Sequence, residues 1–102
     1  MKFELKDKKH RKEVFRKLRD VILHELVSKK RIPYFHILHY HPDGTVDNHY
    51  MTPIALTKEK DKMIFIEDYE FFLRILLQNP KVIEVEYDKK EGSIIFTLDE
   101  CR

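Results

Sequence analysis

One cysteine, two glycines and no tryptophan occur among the 102 residues, and each scarcity removes a class of protein. The single thiol, Cys101, excludes an intramolecular disulfide and points to a reducing compartment. No acid–base apparatus adjoins it in sequence, so it reads as a bystander. Two glycines leave no Gly-rich phosphate loop and, with no low-complexity tract, argue against disorder. Paired CxxC motifs are absent. Ser28 and Ser93 are the only serines, and neither stands in the turn of a hydrolase nucleophile. No apolar run approaches the ~20 residues of a membrane span. The charged start Met1–Lys6 does not read as a signal segment, and no Trp anchors a helix at a bilayer surface. These absences predict a single domain over residues 1–102, cytoplasmic, with no membrane partner.

Charge is plentiful and unevenly placed. Residues 1–31 hold twelve Lys/Arg against five Asp/Glu, and residues 32–102 hold eight against thirteen, so +7 and −5 lie behind the net +2. The basic part can face the acidic part or an anionic partner such as nucleic acid.

Periodicity gives the elements. Met1–Lys6 alternates as a strand. Asp7 caps a helix over Lys8–Lys30 whose apolar stripe is Phe15, Leu18, Ile22 and Leu26. Pro33 prevents continuation. Tyr34–His41 reads as a strand, turned by Pro42-Asp43-Gly44 into a return strand from Thr45. A three-residue loop pairs His41 with Thr45, His39 with Asp47 and Ile37 with His49. The face bearing Tyr34, Leu38, Tyr40, Val46 and Tyr50 is the more aromatic and is the expected core side. Ile54–Thr57 and Lys62–Ile66 are further strand expectations. Asp68 is the expected cap of a helix over Tyr69–Gln78, with Tyr69, Phe72, Leu73, Leu76 and Leu77 inward. Lys81–Asp88 and Ser93–Leu98 form a last hairpin. The predicted class is α+β, a two-layer, mainly antiparallel sheet of five to six strands packed by two helices, in the order β-α-β-β-β-α-β-β. The last hairpin is expected at a sheet edge, where a sticky surface favours a homodimer.

Two groups of residues carry chemistry. Four of the six histidines fall between His36 and His49. The hairpin register puts His39, His41, Asp47 and His49 on one face, three imidazoles and a carboxylate that suit a divalent metal ion. The bland reading is a solvated strand whose histidines pair with Asp47 and tyrosine hydroxyls. Protonation near neutral pH is a third role for such a cluster. On the first helix, Arg11, Lys12, Arg16, Lys17 and Arg19 are the expected contacts for phosphates or a partner; the bland reading there is a solvated face.

His39-Tyr40-His41 resembles the histidine–bulky–histidine motif of the HUH single-strand endonucleases. That resemblance implies His39 and His41 as metal ligands, Asp47 or His49 as the third, and Tyr69 on a helix as the nucleophile toward a DNA phosphate. Acidic neighbours Glu67, Asp68 and Glu70 oppose a phosphate backbone there. The favoured expectation is therefore a small intracellular, non-catalytic binding or modulator protein of the kind phages and mobile elements encode. It would act on a protein partner or a nucleic acid and need no cofactor. A metal-dependent HUH-like nuclease is the alternative.

Overall fold

The computed structural model describes residues 1–29, 31–51 and 59–100, with the backbone alone for 59–68. The elements run β1 (Lys2–Glu4), α1 (Lys8–Lys29), β2 (Tyr34–Tyr40), β3 (Val46–Met51), α2 (Glu59–Gln78), β4 (Val82–Asp88) and β5 (Ser93–Asp99). They form an α+β fold: five strands in the order β1-β4-β5-β2-β3, with two helices on one face. All neighbouring strands are antiparallel except β2 and β5, which run parallel. Among the described residues no helix is long and apolar enough to cross a membrane.

Three sequence expectations are corrected. Lys62–Ile66 is not a strand; it belongs to α2, which begins at Glu59 and runs through Asp68 rather than being capped there. The last hairpin is not at an edge, because β4 and β5 lie inside the sheet and β1 and β3 bound it. The expected core face is also inverted. Phe35 is buried and Ile37 packs on the core, whereas Tyr40, Val46 and Tyr50 are exposed. The expected strand at Ile54–Thr57 lies outside the described residues.

Local chemistry explains the helix ends. Asp7 accepts the His10 amide through Oδ1 at 2.8 Å, satisfying one of the free donors at the start of α1. Val14, Leu18, Ile22 and Glu25 form its buried stripe, with Phe15 and Val21 at the margin. On α2, Tyr69, Leu73 and Leu77 are buried, but Phe72 faces outward with Phe71 and Ile75. The helices meet Phe35, Val82, Val85, Tyr87, Ile94 and Phe96 from the sheet. Phe35 stacks on Tyr69 at 4.3 Å and meets Phe96 edge-on at 5.4 Å, which ties α2 to the sheet centre.

Glu25 is the one buried carboxylate among the described residues. It pairs with Arg31 at 2.9 Å and Lys29 at 3.2 Å. Arg31 also donates to the Lys89 carbonyl at 3.1 Å and packs over Gly92. Gly92 has φ +70°, and an added Cβ would stand 3.1 Å from the guanidinium carbon. The turn therefore favours glycine there for its positive φ, and any side chain would oblige the Arg31 guanidinium to yield by a few tenths of an ångström.

Candidate metal centre and basic face

The hairpin is held as its turn residues dictate. His41 N–H donates to the Thr45 carbonyl at 2.9 Å, and Gly44, at φ 89°, donates to the His41 carbonyl at 3.0 Å. Asp43 Oδ1 accepts from the Thr45 hydroxyl at 2.6 Å and the Thr45 amide at 2.9 Å, bonds that hold its carboxyl below the ordinary range. The register is Tyr40–Val46, His39–Asp47 and Ile37–His49. The fixed alternation along a strand then puts His39, His41, Asp47 and His49 on one side. It is the side of Phe35 and Ile37, beyond the apolar core. The rings of His39 and His41 lie 4.0 Å apart, and that of His49 lies 5.9 Å from His39.

Parallel pairing brings in a residue that no local motif singles out. β5 runs beside β2, with Leu98 opposite His39, and Glu100 N–H donates to the Tyr40 carbonyl at 2.9 Å. Glu100 Oε2 then lies 3.2 Å from His39 Nε2 and 3.9 Å from His41 Nδ1. One ligand atom from each of His39, His41 and Glu100 lies within 4.8 Å of the others. His39 Nε2 is buried, and its contact with Glu100 lacks the alignment of a hydrogen bond. The His39 imidazole holds the Glu100 carboxyl below its ordinary range against partial burial, with Lys81 and His41 adding to the effect.

Asp47 pairs with His41, as the metal-free reading of the hairpin expects, and is not in the closest donor group. Its Oδ2 lies 2.6 Å from His41 Nε2, the ring nitrogen turned away from Glu100. A carboxylate behind a ligating histidine fixes the ring and its tautomer. His39, His41 and Glu100 therefore form the closest group of candidate donors among the described residues, with Asp47 behind His41. His49 stands outside the closest group. Two imidazoles and one carboxylate are a donor set suited to zinc and neighbouring divalent ions.

Tyr69 is not placed for attack on a phosphate. It is 6% exposed, stacked on Phe35, and its hydroxyl donates to the Pro33 carbonyl. Burial pushes that hydroxyl's pKa up, away from nucleophilic character. Phe35 precedes His39 by four residues, roughly 13 Å along a strand.

The basic residues of α1 divide into two roles. Arg11 is a structural clamp rather than a free phosphate contact. Its Nη1 donates to the carbonyls of Leu77 at 2.9 Å and Asn79 at 3.0 Å, and its Nε to that of Lys6 at 3.2 Å. Partial burial lowers its pKa. It satisfies carbonyls at the end of α2, which has no basic residue in its last turn. Arg11→Met is expected to cost about 1.5–3 kcal/mol in a urea melt, the range for hydrogen bonds to a charged group. A loss below about 0.5 kcal/mol would show the clamp to be dispensable.

Lys12, Arg16, Lys17 and Arg19 are exposed. None of them makes an ion pair among the described residues, so the acidic part of the chain does not cover them there. Beside them, between α1 and α2, runs a groove of about 540 Å³ with Phe15 and Leu77 in its wall and Lys8, Lys12 and Arg74 around it. Arg74 lies over the Phe15 ring at 5.3 Å. No family model matches the chain, and neither curated proteins nor solved structures yield a match.

Proposed function

We propose that the chain is a small intracellular, non-catalytic binding protein that takes a nucleic acid on the basic face of α1. The observation that carries this reading is the exposed set Lys12, Arg16, Lys17 and Arg19, which makes no ion pair among the described residues. Exposed cations with no ion pair among the described residues are available to displace counterions from a phosphate backbone, with Lys17 also lying over the Phe3 ring at 5.6 Å. Neutralising about four phosphates gives a salt slope near −3.6 on duplex DNA and near −2.8 on single strands, so affinity is expected to fall about 150-fold or about 50-fold, respectively, between 50 and 200 mM salt. Lys12→Glu with Arg16→Glu is expected to weaken binding at least tenfold and flatten that slope, by the loss of about two phosphate contacts. Absence of binding at low salt would leave the face merely solvated. Arg11 is no part of this test, because its role is internal.

A second reading is favoured by the His39–His41–Glu100 group: the hairpin holds a divalent cation. Untagged protein titrated with zinc or cobalt is expected to take up one equivalent. His39→Ala and Glu100→Gln are each expected to weaken uptake at least tenfold, while Asp47→Asn weakens it within the ~10–100-fold range typical of outer-sphere support. Failure to bind either metal stoichiometrically would remove this reading. The nuclease extension is not favoured, since its proposed nucleophile, Tyr69, is buried and hydrogen-bonded.

A further inference from the structure

The two edges of the sheet are unlike. β1 has three residues, begins and ends on the charged Lys2 and Glu4 and is followed by Lys6, the short charged kind that resists pairing. β3 has six, all exposed, with no lysine, no proline and an unbroken register to β2. Among the described residues β3 has a neighbour on the β2 side only.

The outward backbone groups of β3 can be assigned. Tyr34 N–H donates to the Gly92 carbonyl at 3.1 Å, and the Tyr40 carbonyl accepts from Glu100 at 2.9 Å, so even-numbered residues of β2 address β5. His41, odd-numbered, donates to Thr45 across the hairpin at 2.9 Å. His39–Asp47 and Ile37–His49 are therefore the hydrogen-bonded pairs of the hairpin. Val46, Asn48 and Tyr50 turn their N–H and C=O groups away from β2.

We propose that a second copy of this chain pairs with β3 antiparallel, with Asn48 facing Asn48 of the second copy across a two-fold axis. Hydrogen bonding permits only registers that match outward-facing residues with one another, so alternatives differ by steps of two residues. A step one way sets Asp47 against Asp47 of the second copy; a step the other way sets His49 against His49. The central register avoids both. It places Asp47 opposite His49 and Val46 opposite Tyr50, each twice by symmetry. The Asp47–His49 pairs fall at non-hydrogen-bonded positions, where facing side chains are closest. The Val46–Tyr50 pairs cover two of the chain's exposed apolar side chains. Charge and shape thus select one self-complementary alignment of this strand.

Light scattering or sedimentation of the full chain tests the proposal. Wild type is expected to show twice the 12.5 kDa monomer mass at about 100 μM, above the micromolar range in which standard interfaces begin. Asn48→Pro removes an outward N–H and the His36–Asn48 side-chain bond at 2.9 Å, leaves the β2–β3 backbone bonds intact, and is expected to give a folded monomer by circular dichroism. His49→Asp, which sets carboxylates face to face, is expected to weaken association at least tenfold and serves if the proline variant does not fold. A wild type that stays monomeric at 100 μM overturns the proposal. So does association unchanged in His49→Asp or in folded Asn48→Pro.

Discussion

Phe35→Ala is expected to lower the unfolding free energy by about 3–5 kcal/mol, as large aromatic-to-alanine truncations in a packed core do. The ring is 2% exposed and joins two aromatic contacts, Tyr69 from α2 and Phe96 from β5. Removing it leaves a cavity where helix and sheet meet and withdraws both ring pairings at once. A domain of this size has about 5–15 kcal/mol in total, so the variant should retain little margin near body temperature. Urea denaturation followed by circular dichroism measures the change. A loss under about 1.5 kcal/mol, the range of volume-conserving swaps, would mean that α2 does not depend on this ring.

Glu25→Ala is expected to cost about 2–3 kcal/mol and to change the response to acid. The figure is set below the ~3–5 kcal/mol of fully buried pairs because Arg31 and Lys29 keep solvent access. Their side chains are 40% and 42% exposed, against 3% for Glu25. The neighbouring Tyr87 hydroxyl holds the Glu25 carboxyl down from 4.5 to about 2, with Arg31 and Lys29 adding to this while burial opposes it. A carboxylate with a lowered folded pKa stabilises fully above its unfolded value, and the contribution is lost as pH falls through the folded one. Wild-type stability should therefore decline between pH 4.5 and about 2 by this route. The variant's curve should lie below wild type at neutral pH and converge with it in acid. Parallel curves throughout would assign the acid response to other groups.

Which features could be read from the residues, and which could not, follows the range of the interactions concerned. Asp7 and the Pro42-Asp43-Gly44 turn act over a few positions, so the start of α1 and the β2–β3 register were both legible. Met63-Ile64-Phe65-Ile66 misled because a short apolar run suits a strand or a buried helix segment equally, and periodicity alone does not separate them. Aromatic content points to the wrong face of the hairpin because it does not equal burial. Tyr34, Tyr40 and Tyr50 can remain at a surface, while Phe35 and Ile37 lie under α2's side of the sheet. Of the closest donor group, His39 and His41 share a readable hairpin face, whereas Glu100 does not. Its position depends on the parallel pairing of β5 with β2, for which no local motif exists. Arg11 was grouped with the free cations because its acceptors, Leu77 and Asn79, are more than sixty positions away.

That parallel seam has a kinetic consequence. Tyr34 and Ser93 are opposite one another although 59 positions separate them, 93 minus 34. Hairpins β2–β3 and β4–β5 close across short turns, whereas the join between them must gather a long intervening segment before any reward appears. The seam should zip late, and the His39–Glu100 juxtaposition should arise only at that step. A cation seated there would act as a latch on the finished chain, slowing its opening far more than hastening its assembly.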